Sequence, residues 1–328
     1  MRSRLLISIL GVAMVGNPVL AQTPKQQRLN PMIGLLEQNK PVMGLYAPGR
    51  PHGGPDAAAP HKSPLELARE AVAYKSSDFV FDGSMEDDFD QAYPAFAAFA
   101  GALKEAGPLS RAPFPHIAHP MVVKIPQIAP DPSKTVSYIS QQLNLGVSGV
   151  MFVGVESADE VKQGIAAMRF KSKGGTRPDS VGAAPAFWGV SEQEYRHKAD
   201  LWPLNPQGEL INWTIVESKE GLKHVREIAA VKGIGVLWPG AGTLRGVFST
   251  TGPDGKRVLD EAAWEAAIQQ VLSACKEFKV PCGFPASPDN IELRMKQGFS
   301  VFVMNWGDAG FKAVEIGRKA ANRPTTNE

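Results

Sequence analysis

Three charged side chains stand where apolar strands would place them beside a site. Lys124 interrupts the apolar run "PMVVKIP" (120–126), Glu217 ends "LINWTIVE" (210–217), and Glu86 follows "DFVFDG" (78–83) in the string "SMEDD". An ammonium inside an apolar strand loses solvation, so a position facing a polar site is favoured over burial in the core. Lys124 can stabilise an anion that develops during a reaction. A desolvated lysine amine could also form an imine, a second route left open. Glu217 can act as a general base or offer hard oxygen to a cation. A Gly-rich turn, Pro239-Gly240-Ala241-Gly242-Thr243-Leu244, closes the run after Glu217, with Trp238 just before it and no carboxylate in it.

Eight apolar runs must position these groups: 41–47, 78–83, 120–126, 148–154, 210–217, 234–240, 280–286 and 299–306. Most are near-continuous rather than alternating, as in parallel strands covered on both faces. Amphipathic stretches at 63–75, 157–170, 218–231, 260–278, 289–298 and 308–322 lie between them. Ser63-Pro64 predicts a capped helix start, and Ser157 with Glu160 predicts a reciprocal capping box. The alternation predicts a (β/α)8 barrel. The rival is an open doubly wound sheet, but the Gly-rich phosphate fingerprint that should follow its first strand is missing.

The expected organisation is a signal peptide over 1–21, a polar N-terminal segment over 22–40, and one barrel domain over 41–328. Insertions at 47–64, 171–209 and 243–261 interrupt that domain. In a barrel, the loops after strands build the functional face, which gives the first and third insertions a place at the site. The sequence holds six histidines. His52 and His61 fall in the first insertion and His197 in the second. His116 and His119 precede the third strand, His224 lies on a helix, and no single one is favoured over a surface or structural role.

Arg2, Arg4, an apolar stretch and Val19-Leu20-Ala21 have the order of a secretory signal, pointing to a secreted or periplasmic protein. Without that segment, acidic and basic side chains balance. No basic run remains to favour nucleic acid or an anionic membrane, and no later stretch is long enough to span a bilayer. The expected partner is a small-molecule substrate, with a homo-oligomer possible. Cys275 and Cys282 could form a disulfide or remain buried thiols.

The pieces "PMVVKIP", "LGVSGVMFVGVESADEVKQGIAAMRF", "IVESKEGLKHVREIAAVKGIGVLW" and "GFSVFVMNWGDAGFKAVEIGRKA" occur in an order that resembles the HpcH/HpaI aldolase/citrate lyase family, from about residue 30 to residue 322. The resemblance implies a TIM barrel of the phosphoenolpyruvate/pyruvate-binding type that makes or breaks a carbon–carbon bond. It implies a divalent cation of the magnesium or manganese type held by a Glu and an Asp, an Arg that stabilises an enolate, and a proton-transfer His. Glu217 matches the metal Glu. Gly242 or Thr243 stands where the Asp is expected, Lys124 where the Arg is, and Met85 where the His is. Arg177 in "KGGTRPD" matches a basic Gly-rich segment.

The resulting expectation is an aldolase-type lyase for a small keto-acid or related substrate, with a rewritten site. Lys124, Glu217 and Glu86 are its catalytic candidates, with Asp87 or Asp88 as substitutes for Glu86. Gly240, Ala241, Gly242, Thr243, Arg177 and Trp238 are its substrate contacts, and Glu217 is its one candidate metal ligand. The alternative is a non-catalytic binding barrel.

Overall fold

The computed structural model describes residues 27–49, 62–111, 114–253 and 255–327. All eight predicted strands form: β1 (Val42–Tyr46), β2 (Val80–Asp82), β3 (Met121–Ile125), β4 (Gly149–Phe152), β5 (Leu210–Val216), β6 (Val236–Pro239), β7 (Gly283–Pro285) and β8 (Val301–Met304). They are parallel, and each pairs with its neighbour in the cyclic order β7-β8-β1-β2-β3-β4-β5-β6. A bridge from Leu237 to Cys282 closes the ring between β6 and the start of β7. Leu237 N–H donates to the Pro281 carbonyl there at 2.9 Å. Sequential order with closure is a TIM-barrel fold and excludes the open sheet.

Strand side chains alternate between two cores. Val42, Phe81, Val122, Met151, Ile211, Trp213, Ile215, Val236, Trp238, Val301 and Val303 fill the barrel interior. Met43, Val123, Ile125, Val150, Val216, Leu237 and Phe302 face the surrounding helices. Burial on both faces explains the near-continuous apolar runs.

The six predicted helical stretches are present, with 218–231 split at His224 into Lys219–Lys223 and Val225–Ala229. Two further long helices escaped the sequence pattern, Phe89–Ala106 and Pro132–Asn144. The first contains Pro94, and the second buries Thr135, Ser140 and Gln142 on its inner face, which blurs its apolar period. Buried Gln142 donates to the Lys124 carbonyl at 2.9 Å, so this polar face is used. The reciprocal capping box forms at Ser63 and Glu66. At Ser157 the hydroxyl accepts from Glu160 N–H and donates to its carboxylate, so the box predicted there is only half made.

The stretch 22–40 is not simply polar. Pro31–Leu36 is a helix capped by Asn30, and Met32 and Ile33 within it are completely buried in the interior cluster. It plugs the end of the barrel where the strands begin. The signal-peptide reading falls on residues outside those described, as do His52 and His61. The 171–209 insertion is folded, with helices Ala184–Trp188 and Glu192–Lys198 and a short strand Leu201–Trp202 beside β5. The 243–261 insertion holds a hairpin, Ser249–Thr251 with Arg257–Leu259. Cys275 and Cys282 form a disulfide. Among the described residues no helix is long and apolar enough to cross a membrane.

Candidate active site

The period-two rule that fills the interior also aims the site. On β5 the inward series Ile211, Trp213, Ile215 continues to Glu217. On β3 it runs from Val122 to Lys124, on β1 from Val42 through Gly44 to Tyr46, and on β8 from Val301 through Val303 to Asn305. Each series ends at the C-terminal mouth of the barrel. Tyr46, Lys124, Glu217 and Asn305 therefore form its top layer, over an aromatic floor in which Trp213 stacks on Trp238 at 5.5 Å.

They line a cavity of about 270 Å³, joined by Gly240–Thr243, which form the start of a short helix, Ala241–Val247, rather than the expected turn, and by Ser287 and Asn290 after β7. The Lys124 ammonium is 2.5 Å from Glu86 Oε2. Glu217 Oε1 accepts from Gly154 N–H at 2.8 Å, which fixes the carboxylate across the β4 loop. Only a glycine permits this placement, because a Cβ on Gly240 would stand 2.3 Å from Glu217 Cβ and 2.6 Å from its Oε2. A similar close approach occurs at Gly283, where Trp238 lies against the backbone at 1.8 Å from an ideal Cβ position.

Glu217 and Thr243 also edge a second, larger groove of about 930 Å³, which holds Glu86, Asp87, Asp88 and Glu156. Lys124, Glu217 and Glu86 thus meet around one opening, with Gly240, Ala241, Gly242, Thr243 and Trp238 on its walls.

Other expected positions lie elsewhere. Arg177 is fully buried in the 171–209 insertion, over the Phe170 ring at 4.2 Å and donating to Asn144 at 2.9 Å and to the Tyr195 hydroxyl at 3.2 Å. Its guanidinium stabilises that insertion and does not line the mouth, which removes it from the substrate contacts. Met85 is fully buried in the outer core, 3.5 Å from Gln142 Nε2, so the position expected for a histidine points away from the cavity. His116 and His119 line a cavity at the opposite end, as their place before β3 implied. His224 contacts Glu227 and Glu220, which raise its pKa, in that order of size.

Tyr46, Asn305, Ser287 and Asn290 were missed. Inward parity was the available signal for Tyr46 and Asn305, two residues beyond Gly44 and Val303. Burial, and then the charges of Glu86 and Asp82, push the Tyr46 hydroxyl well above its ordinary range, so it stays protonated at neutral pH.

The family model described as HpcH/HpaI aldolase/citrate lyase matches residues 108–301. The chain belongs to this family. Its region of match runs from the approach to β3 into β8 and includes Lys124, Glu217 and the turn between them and β7. The chain is similar to a hydroxypyruvate/pyruvate aldolase of Paraburkholderia phytofirmans, at 25% identity over 260 residues, covering 77% of this chain and 82% of that protein. It shares its fold with an HpcH/HpaI aldolase/citrate lyase family protein from Burkholderia cenocepacia, with TM-score 0.62 and 20% identity over 89% of this chain and 98% of that one. An HpcH/HpaI aldolase from Desulfitobacterium hafniense gives TM-score 0.58 at 16% identity, over 90% and 99% of the two chains.

The donor set does not fit the divalent cation that the family resemblance implies. Glu217 is the one carboxylate on the wall of the smaller cavity, Gly240–Thr243 add no anionic oxygen, and Glu86 in the adjoining groove is already paired with Lys124. Among the described residues no group of three or more His, Cys, Asp or Glu is arranged to hold a metal ion. Hard cations of this kind take several oxygen ligands, usually with more than one carboxylate.

Proposed function

We propose that this HpcH/HpaI-family barrel is a carbon–carbon lyase of the aldolase type, acting on a small 2-oxo acid bearing a hydroxyl two carbons from the oxo group. The observation that carries this reading is the convergence of Lys124 and Glu217 on one cavity at the catalytic end of the barrel. Family membership and the pyruvate-aldolase relative give the same reaction class.

Cleavage needs a base for the departing hydroxyl proton and positive charge near the oxygen of the enolate left behind. Glu217, oriented by Gly154 N–H, supplies the base. Lys124 supplies the charge from the cavity wall, held by Glu86 of the adjoining groove. No step requires a bound ion, which accords with the donor set. In this reading a second carboxylate is not missing from the turn, because the ammonium does the electrostatic work from the opposite side.

The substrate is a small molecule, in keeping with a cavity of about 270 Å³. We place the protein outside the cytoplasm. The N-terminal sequence supports that, and so does the Cys275–Cys282 disulfide, since such bonds persist in oxidising compartments.

The test is a screen of 4-hydroxy-2-oxo acids for release of a 2-oxo acid, comparing wild type with Lys124→Met and Glu217→Gln. Each substitution should lower kcat/KM by roughly 10²-fold or more, in line with loss of a positioned charge or base. Equal rates in all three proteins, or no turnover of any substrate by correctly folded wild type, would instead favour a binding barrel.

A further inference from the structure

We propose that Tyr46 is a catalytic residue, whose hydroxyl works with the Lys124 ammonium as an oxyanion hole for the enolate in place of a metal ion. This rests on the lyase reading above and assigns a second donor to the same site.

The placement comes from three independent features. Tyr46 ends the inward series of β1 and Lys124 that of β3, with β2 between the two strands. Gly83 at the end of β2 separates them without a side chain: a Cβ there would lie 3.4 Å from Lys124 Cδ and 3.7 Å from Tyr46 Cε1. The two side chains therefore approach each other over one glycine on the same cavity wall. The Tyr46 ring is held edge-on against Phe81 at 4.9 Å between centroids, which fixes the direction in which its hydroxyl projects.

The chemistry of the pair follows from protonation. A tyrosine kept neutral offers O–H as a donor over the whole working pH range, and burial with neighbouring carboxylates keeps Tyr46 in that form. An ammonium and a phenol already positioned on the cavity wall stabilise an enolate oxygen with little reorganisation at the moment of reaction. The carboxylate of Glu86 balances the Lys124 cation. Gly83 and buried Met85 leave no imidazole at the mouth from the β2 loop, so the phenol fills the space at the β1 side.

The steps balance. Glu217 accepts the proton of the C4 hydroxyl. The C3–C4 bond breaks, its electron pair forms the C2–C3 double bond, and the carbonyl pair moves onto the C2 oxygen between Lys124 and Tyr46. The C4 fragment leaves as an aldehyde or ketone. The proton then passes to C3 as the C2 carbonyl re-forms, which yields the 2-oxo acid. Nothing is oxidised or reduced.

The half-reaction can be read without knowing the natural substrate. Pyruvate in D2O with EDTA would be followed by NMR for loss of methyl protons, using the whole folded chain as wild type, Tyr46→Phe and Lys124→Met. Oxalate, a planar mimic of the enolate, would be titrated in the same buffer by tryptophan fluorescence, since Trp238 lies on the cavity wall. Wild type should exchange and bind oxalate in EDTA. Tyr46→Phe should melt as wild type does, keep its KM for pyruvate within about threefold, and lose roughly 10²-fold in kcat. Oxalate affinity should fall in both variants.

Wild-type rates in Tyr46→Phe, with exchange by wild type intact, overturn the role of Tyr46 and leave the lyase reading standing. Exchange by wild type that appears only after magnesium or manganese is added overturns the ion-free site. Absence of exchange under both conditions, together with no cleavage in the aldol screen, removes the lyase reading and this inference with it.

Discussion

Gly240 sets the position of the Glu217 carboxylate more tightly than any hydrogen bond does. An added methyl would overlap Glu217 Cβ and Oε2, and Ile215 Cγ2 is only 3.0 Å away on the other side. Backbone and two side chains leave no direction for relaxation. Gly240→Ala should therefore turn the carboxylate off its Gly154 contact at a cost of about 1–3 kcal/mol in stability, as overpacked cores do. Its larger effect should be on turnover, because displacement of a base by about 1 Å costs roughly 10²-fold. Denaturant melts and steady-state kinetics on one preparation check both. A variant with full kcat would show that Glu217 is not the base. At this scale the charged groups were legible, since Lys124 and Glu217 break apolar strands at the parity of the interior. Tyr46 was not, because a tyrosine ending an apolar strand reads equally well as core. Arg177 misled for the opposite reason: its Gly-rich context looked like a loop, yet Phe170 and Tyr195 bury the guanidinium completely.

At the scale of elements, strand order was readable because both faces of every strand are apolar, but the way the ring closes was not. Between β6 and β7 the sheet has a single bridge, Leu237 to Cys282. The neighbouring strand pairs have registers of two to four residues each. The disulfide ties the end of helix Glu261–Phe278 to this thin seam, with a Cα separation of 5.7 Å. Trp238 lies across the same seam on Gly283. Cross-linking residues seven apart should contribute about 2 kcal/mol through chain entropy in the unfolded state. Cys275→Ser with Cys282→Ser, or reduction of wild type, should lower Tm by several degrees. The site lies above the seam, on the residues that follow β6 and β7, so loosening should raise KM as well. Identical melts before and after reduction, with loss of the disulfide verified by mass, would leave the seam held by packing alone. The missed helices Phe89–Ala106 and Pro132–Asn144 belong to this scale too. The first carries an internal proline, Pro94, on its exposed side, and the second buries polar groups on its inner face, and these hide a period of 3.6 in any single sequence.

The whole molecule separates stability from chemistry along the barrel axis. The candidate site lies at the C-terminal mouth. The other end is sealed by helix Pro31–Leu36 and by Asp78, which accepts from Arg323 at 2.6 Å through each oxygen and from Met43 N–H at 2.8 Å. The Arg318 guanidinium, 3.4 Å from Asp78, is lowered in pKa by burial and then by repulsion from Arg323. These contacts bind the C-terminal tail to the base of β1, which the sequence did not disclose because the partners lie more than two hundred residues apart. The plug was hidden for a simpler reason: Met32, Ile33, Leu35 and Leu36 sit in a helix of only six residues, too short for a periodic signal. Met32 and Ile33 are fully buried against Val42, Phe79 and Val122 in the interior cluster. Met32→Ala should open a cavity there and cost about 2–5 kcal/mol, the range for large-to-small changes in a packed interior. Tyr46 and Lys124 sit at the far end of the strands, with the aromatic layer of Phe81, Trp213 and Trp238 between. A rigid layer transmits little of a local loss, so KM and kcat should remain within about twofold at temperatures where the variant is folded. Urea melts give the first quantity and pyruvate proton exchange the second. A collapse of exchange in a folded Met32→Ala protein would mean that the plug positions the mouth through the aromatic layer, and the two ends would then form one cooperative unit.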